Sequence, residues 1–247
     1  MKKYSAFSLI KNALSYHQNW DVAWRDPEPK SEYEVIIIGG GGHGLATAFY
    51  LAKNFNIRNV AILEKGWIGG GNVGRNTTIL RSNYMYNANN LFYEEGMKMW
   101  RNLSQELNYN VMYSPRGILN LAHSDAQMNA YSRRGNSMRL NGIDAQLLYR
   151  EDIKKRIPFA DYSSNCRFPI FGGLFQPSGG TARHDAVAWG YARGADDLGV
   201  DIIQNCEVTG FDVNNGKIQG VQTSRGNIKT KKLVFVLLEA LHYLLKN

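Results

Sequence analysis

Three glycines spaced as Gly39-x-Gly41-x-x-Gly44, with Glu64 following 20 residues later, are residues that can hold a dinucleotide. In this spacing the first glycine permits a tight turn, the second lets the backbone approach a pyrophosphate, and the third lets a helix pack closely on a strand. The N–H groups opening that helix point at phosphate oxygens, and the helix dipole favours their negative charge. An acid at the distance of Glu64 accepts hydrogen bonds from ribose hydroxyls and repels a 2′-phosphate. That argues against NADP and does not separate FAD from NAD. A second candidate is His184, in "GGTARHDAVAWGYARGADDLG" (179–199), between Arg183 and Asp185. Val187, Ala188, Tyr191, Ala192, Ala195 and Leu198 recur at helical spacing, so His184 opens a predicted helix. The positive end of a helix favours a neutral imidazole with a nucleophilic nitrogen. The plainer reading is a solvated histidine beside an aspartate cap.

These residues need elements to position them. "VIIIGG" (35–40) is a short β-branched run of the kind buried on both faces of a parallel sheet, a helical pattern with Leu45, Ala48, Phe49, Leu51 and Ala52 follows, and "NVAILEKG" (59–66) supplies the next strand. Strand, helix and strand within about thirty residues make a βαβ unit. Downstream, "NANNLFYEEGMKMWRNLSQELN" (87–108) predicts a long helix with Leu91, Phe92, Met99, Trp100, Leu103 and Leu107 inward; "RGILNLAH" alternates like a strand, and 126–140 reads as another helix. Beyond residue 200 apolar and polar residues alternate, with Asn215-Gly216 and Arg225-Gly226 as hairpin turns, which predicts a small antiparallel sheet. At the front, Phe7, Ile10 and Leu14 mark one face of an amphipathic helix, and "RDPEPKSEYE" (25–34) reads as an extended linker.

Composition narrows the function classes. The 247 residues are 44% hydrophobic and 20% charged, ordinary for a soluble globular protein. Lys11, Asn12 and His17 interrupt the N-terminal apolar run before a signal peptide forms, and no run reaches the roughly 18 apolar residues of a membrane span. The formal charge of +8 is spread thinly, its densest clusters being "KKRIP", "SRRG" and "KTKKL". No interleaved aromatics or zinc pattern accompany them, so the basic balance points to an acidic partner subunit rather than to nucleic acid. Cys166 and Cys206 form neither a CxxC nor a ligand cluster with the five histidines. No metal site is implied, and free thiols in a reducing, cytoplasmic compartment are expected.

After Glu64, "KGWIGGGNVGRNTTILRSNY" brings a second glycine cluster and a polar stretch. This resembles the flavoprotein amine oxidases of the D-amino-acid oxidase and sarcosine oxidase group. With "FSLIKNALSYHQNWDVAWRDPEPK", "GGGGHGLATAFYLA", "LEKGWIGGGNVGRNTTILRSNY" and "GGTARHDAVAWG", the resemblance narrows to the β subunits of heterotetrameric sarcosine oxidases and covers nearly everything from Tyr4 to about Leu233. It implies noncovalent FAD and an FMN attached through its 8α position to a histidine, which "ARHDAVAW" matches at His184. Residue by residue, Gly41, Gly42 and His43 match the FAD loop, Glu64 and Lys65 its ribose end, Asn72, Arg75, Asn76 and Thr78 a flavin-facing stretch, and Val208 a contact of the adenine half. Arg183 stands where it can supply positive charge beside the FMN, or pair with Asp185. Arg81 matches an arginine that binds the substrate carboxylate, for which a planar two-donor fork is suited; otherwise it satisfies loop carbonyls.

The resemblance implies oxidation of the N-methyl group of sarcosine, with hydride passing to FAD, electrons to FMN and oxygen reduced to hydrogen peroxide. Glycine leaves with formaldehyde, or with methylenetetrahydrofolate when tetrahydrofolate is co-substrate. Partners would be the α, γ and δ subunits. The expected fold is α/β: a FAD-binding Rossmann-like (glutathione-reductase-like) domain with an interleaved, incomplete α+β substrate domain. Its boundaries are 1–33 for the N-terminal helix and linker, 34–86 and 180–236 for FAD binding, 87–179 for the substrate domain and 237–247 for an atypical tail. That tail, within "VFVLLEALHYLLKN", departs from the family's small-residue, glycine-containing segment and reads as an apolar helix or as the product of a shifted frame. The family's β subunits run longer, so a truncated chain is expected to lack half of the FAD contacts and most of the substrate pocket. A single-chain FAD amine oxidase for another N-methyl amino acid and a noncatalytic remnant are the competing readings.

Overall fold

A computed structural model describes residues 5–18, 20–163 and 165–236; the tail 237–247 lies outside them. In chain order the helices are α1 (Ala6–Leu14), α2 (Gly42–Phe55), α3 (Asn87–Glu106), α4 (Asp125–Leu140), α5 (Arg150–Arg156) and α6 (His184–Asp197). The strands are β1 (Val35–Ile38), β2 (Val60–Leu63), β3 (Ile79–Leu80), β4 (Ile118–Ala122), β5 (Gln146–Tyr149), β6 (Gly172–Gln176), β7 (Gly180–Thr181), β8 (Asp201–Ile203), β9 (Val208–Asn214), β10 (Lys217–Thr223), β11 (Gly226–Lys229) and β12 (Leu233–Phe235). The chain divides into two compact units, the first holding residues up to Asn76, Gln105–Val111 and His184 onward, the second Thr77–Ser104 and Met112–Arg183.

The first unit is built on a parallel sheet of order β12-β1-β2-β8. Ile36 lies opposite Ala61 and Leu233, and Ile62 opposite Ile202. All four residues of β1 and of β2 are buried, which is why both read as unbroken apolar runs. Each buried Ile or Leu side chain contributes about 1.5–3 kcal/mol. Helices α2 and α6 pack side by side: Gly194 lies against Phe49, where a Cβ would stand 2.9 Å from the ring, and Tyr50 and Tyr191 meet edge to face. Buried Arg193 donates to the Asn108 carbonyl and ties the 105–111 stretch to α6. Beside it, burial, followed by Tyr191 and Glu106, pushes the Tyr50 phenol above its ordinary range.

The antiparallel sheet β9-β10-β11 forms at the expected hairpins. Asn215 and Gly216 both have positive φ, 50° and 72°, as the two-residue turn demands, and Gly226 has φ 105°. The 25–34 stretch is fastened rather than loose. Arg25 meets Asp196 at 2.7 Å and Asp201 at 3.4 Å, Lys30 meets Asp201 at 2.7 Å, and the Tyr33 hydroxyl donates to Asp201 at 3.0 Å. Helix α1 forms with Ser5 capping the Ser8 N–H, and Phe7, Ile10 and Leu14 on its surface are exposed.

The second unit carries the sheet β4-β6-β5, all pairs antiparallel, with α4 and α5 packed on it, and the short pair β3-β7. Because β3 pairs with β7, residues 77–86 and 180–183 fall in this unit, whereas the sequence reading grouped 34–86 and 180–236 together. The face expected for α3 requires correction. Leu91, Phe92 and Met99 are exposed, and the buried residues are Asn90, Met97 and Leu103. This helix carries apolar residues on more than one face, so periodicity alone does not select the one that packs.

Candidate functional site

The turn from β1 into α2 is a cradle of main chain. Gly39 has φ 114°, a conformation that L side chains rarely adopt, and its N–H donates to the Leu63 carbonyl at 2.9 Å. A Cβ on Gly44 would stand 2.0 Å from the Gly39 oxygen, so only glycine lets α2 approach the strand this closely. Gly41 caps the helix with no side-chain hydrogen bond, and no acid lies in the first turn. The first N–H groups of α2, at Gly42, His43 and Gly44, therefore have no intrahelical acceptor and no competing carboxylate, which fits the diphosphate of a flavin dinucleotide. Around Gly41 there is room: a Cβ there would meet nothing nearer than Val73 Cγ2 at 3.7 Å.

Glu64, at the end of β2, joins two loops. One oxygen accepts from the Gly40 N–H at 2.7 Å and the other from the Gly66 N–H at 2.9 Å. A carboxylate has acceptor sites left after two such bonds, so a ribose contact remains open to it. Gly40 was not singled out by the spacing argument, yet a Cβ there would come within 3.0 Å of the Glu64 Cβ. The run of four glycines was the available signal. Lys65 next to it is exposed, and the Val208 side chain is buried with Ile38, Leu63 and Cys206.

The second glycine cluster folds back onto the first. Gly69, at φ 74°, donates its N–H to the Gly40 carbonyl at 3.1 Å and accepts from the Gly74 N–H at 3.0 Å, closing a 3₁₀ turn over Asn72–Arg75. Asn76 Nδ2 donates to the Val73 carbonyl at 2.7 Å. Asn72, Arg75 and Asn76 are exposed on this turn, which touches the glycine loop through Val73 and α6 through the approach of Gly69 to Ala188.

His184 is the first residue of α6, as its spacing predicts. Its Nδ1 is buried and has no hydrogen-bond partner among the described residues. An orphaned ring nitrogen costs about 1–3 kcal/mol of desolvation unless another group satisfies it. Three residues link α6 to β8, which runs parallel to β2, so α6 starts at the same sheet edge as α2. The glycine loop, the Asn72–Arg75 turn and His184 thus converge on one edge of the first unit.

Thr78, Arg81 and Arg183 belong to the second unit. Thr78 holds φ 61°, rare for a β-branched residue, with its carbonyl accepting from the Ala182 N–H at 3.1 Å. Arg183 is exposed. The Arg81 guanidinium lies 5.7 Å from the Tyr84 ring centre, beside a pocket of about 120 Å³ lined also by Tyr93, Met97 and Trp100. Among the described residues no carboxylate pairs with Arg81. Tyr84 and Tyr93 stack with ring centres 4.3 Å apart, and the neighbouring Tyr84 phenol pushes the Tyr93 phenol up. Cys166 and Cys206 are free thiols. Among the described residues no cluster of acids, histidines and cysteines suits a metal ion, and no helix is long and apolar enough to cross a membrane.

Known proteins share this fold. The sequence pattern described as DAO, FAD dependent oxidoreductase, matches residues 34–237. Over 231 residues the chain is 64% identical to the sarcosine oxidase subunit beta of Rhizobium meliloti (strain 1021), covering 94% of this chain and 55% of that one. It is 50% identical over 237 residues to the protein of the same name from Rhodobacter capsulatus, covering 96% of this chain and 57% of that one. The chain thus spans about half the length of the relatives it matches. Among solved structures, L-proline dehydrogenase from P. horikoshii superposes with a TM-score of 0.79 at 27% identity, covering 88% of this chain and 55% of that one. The parallel sheet and the glycine-opened helix sit within the matched residues 34–237: the chain belongs to the FAD-dependent oxidoreductase family, and its sequence is similar to the sarcosine oxidase β subunits.

Proposed function

We propose that this chain is the flavin-bearing part of a sarcosine oxidase β subunit, taking part in the oxidative demethylation of sarcosine to glycine. The observation that carries the reading is His184 Nδ1, buried and unpartnered at the start of α6, on the sheet edge where the glycine loop also opens. A buried nitrogen lone pair there suits a bond to the 8α carbon of FMN, and covalent attachment would satisfy the atom. Noncovalent FAD would lie on the α2 N–H groups, with Gly39, Gly41 and Gly44 giving the backbone approach, Gly42 and His43 the first-turn donors, Glu64 and Lys65 the ribose end, Asn72, Arg75, Asn76 and Thr78 the ring side, and Val208 a main-chain contact near the adenine. Bound flavins supply the acceptance of hydride and electrons that no side chain provides.

The chain's own residues bind and orient. Arg81, with no carboxylate partner among the described residues, would take the carboxylate of sarcosine through its two-pronged fork and set which end of the substrate faces the chemistry. Arg183 would add positive charge next to the FMN. The α, γ and δ subunits are the expected partners, tetrahydrofolate the co-substrate of the assembly, and the cytoplasm its place. The test is flavin analysis of the chain co-expressed with its partner subunits. Acid precipitation should leave one flavin bound and release FAD. In His184→Ala the acid-stable flavin should vanish while FAD is still released, and the fold should lose little stability because the ring nitrogen has no partner to lose. Covalent flavin that survives the substitution overturns the assignment.

A further inference from the structure

The residues that follow Arg81 are held with unusual thoroughness. Ser82 is fully buried and Asn83 is 2% exposed. Gln176, fully buried at the end of β6, grips Ser82 twice: its Oε1 accepts the Ser82 N–H at 3.2 Å and its Nε2 donates to Ser82 Oγ at 2.7 Å. Ser82 Oγ in turn donates to Glu94 Oε2 on α3 at 2.8 Å. Asn83 Nδ2 donates to Asn120 Oδ1 on β4 at 2.7 Å, and the Tyr84 N–H donates to Asn90 Oδ1 on α3 at 3.1 Å. The grip on Tyr84 leaves Asn90 Nδ2 buried and unpartnered, a cost that an apolar side chain would not have incurred.

The bonds run in one direction. A carboxylate only accepts, so Glu94 obliges the Ser82 hydroxyl to donate to it. The hydroxyl oxygen must then accept from the NH₂ end of Gln176, which turns the carbonyl end of that amide to the Ser82 N–H. One backbone geometry satisfies the whole chain of donors. A fork that must meet a carboxylate with two parallel bonds needs its backbone fixed to within a fraction of an ångström, and the mutually satisfied bonds around Ser82 supply that rigidity.

We propose that Gln176 and Glu94 are positioning residues for Arg81: they clamp Ser82 so that the Arg81 guanidinium meets a substrate carboxylate in a single orientation. This rests on the reading of Arg81 as the carboxylate binder, and the experiment separates the two. The full chain, labelled with ¹⁵N-arginine, is titrated with sarcosine and with dimethylamine, which lacks the carboxylate. The Arg81 Nε–Hε resonance is identified by its loss in Arg81→Gln. Arg139, bonded to the Ala145 carbonyl at 3.0 Å in the same unit, reports that the fold is intact. Sarcosine should shift the Arg81 resonance and dimethylamine should not. Gln176→Met should weaken sarcosine binding at least tenfold with the Arg139 resonance unmoved. Gln176→Glu and Glu94→Gln should each weaken it, whereas the double variant should bind more tightly than either: the carboxylate at 176 then accepts both the Ser82 N–H and the Ser82 hydroxyl, and the amide at 94 donates to Ser82 Oγ, with only the Gln176 bond to Ser178 Oγ at 3.2 Å given up. If Gln176→Met disturbs the fold, the double variant decides alone, and its failure to recover binding overturns the proposal. Wild-type affinity in a folded Gln176→Met, with binding lost in Arg81→Gln, overturns positioning and keeps the carboxylate reading. If sarcosine leaves Arg81 unshifted in the wild type, or Arg81→Gln binds unchanged, the carboxylate reading fails and the positioning role falls with it.

Discussion

The two units build their candidate sites from opposite materials. In the first, the cradle between β1 and α2 is main chain: N–H donors aimed by a helix start, and glycines whose missing Cβ atoms are the shape of the site. In the second, the surface at Arg81 is side chain: a guanidinium over a tyrosine ring, steadied by Gln176, Glu94, Asn120 and Asn90 reaching in from β6, α3 and β4. A main-chain site is set once the secondary structure forms, and it is intolerant of added atoms. A side-chain site tolerates neighbours but depends on every bond in its support.

That contrast can be broken by substitution. Gly44→Val should have the largest effect, because its Cβ would sit 2.0 Å from the Gly39 oxygen. Backbone cannot step aside cheaply, so a loss of about 3 kcal/mol or more is expected in urea denaturation. An unchanged midpoint would mean that the close approach of α2 to β1 is not required. Arg81→Ala should leave the midpoint within about 0.5 kcal/mol of wild type, since the guanidinium is outside the buried network. Sarcosine binding should nevertheless weaken by about 2–5 kcal/mol, and Arg81→Lys by less, because a point ammonium replaces charge but not the fork. Equal losses for sarcosine and for dimethylamine would remove Arg81 from carboxylate recognition.

Gly41→Ala sharpens the comparison within the first unit. Its Cβ would find ordinary contact with Val73 at 3.7 Å, so the fold should survive. FAD should be held roughly tenfold less tightly, about 1.4 kcal/mol, because the methyl group occupies the approach of the pyrophosphate. Stoichiometric FAD after gel filtration would contradict that role. The smallest effect is expected at Tyr33, away from either cradle. Burial, together with Asp201, pushes its phenol up to about 12. The folded state then keeps the proton that the unfolded chain releases near its ordinary value of 10, so this contribution is complete below pH 10 and is lost as the pH rises to 12. Tyr33→Phe should flatten the fall in stability across that window; an unchanged slope in alkaline denaturation would refute the assignment.

Some of this was legible in the sequence because it is local. The glycine spacing and the buried strands flanking it, the turn at Asn215-Gly216, and the placement of His184 at a helix start all follow from backbone geometry over a few residues. The inward face of α3 was not legible. Leu91, Phe92 and Met99 look like core and are exposed, while Asn90 is buried because its side chain finds the Tyr84 N–H six residues away. Gly40 was hidden among its neighbours until the position of the Glu64 side chain made its lack of a Cβ meaningful.

The sequence by itself therefore determined the parts whose chemistry is carried by the main chain, because φ, ψ and the absence of a Cβ are properties of a residue and its immediate neighbours. The tertiary structure alone decided what Glu64, Gln176 and Glu94 hold. Gln176 reaches a serine 94 residues earlier in the chain and Glu64 bridges two loops, and such partners are chosen by how the β-strands and helices pack, not by spacing along the chain. The orphaned nitrogen of His184 belongs to the same class: its helix start is local, but only the surrounding fold could bury Nδ1 without a partner.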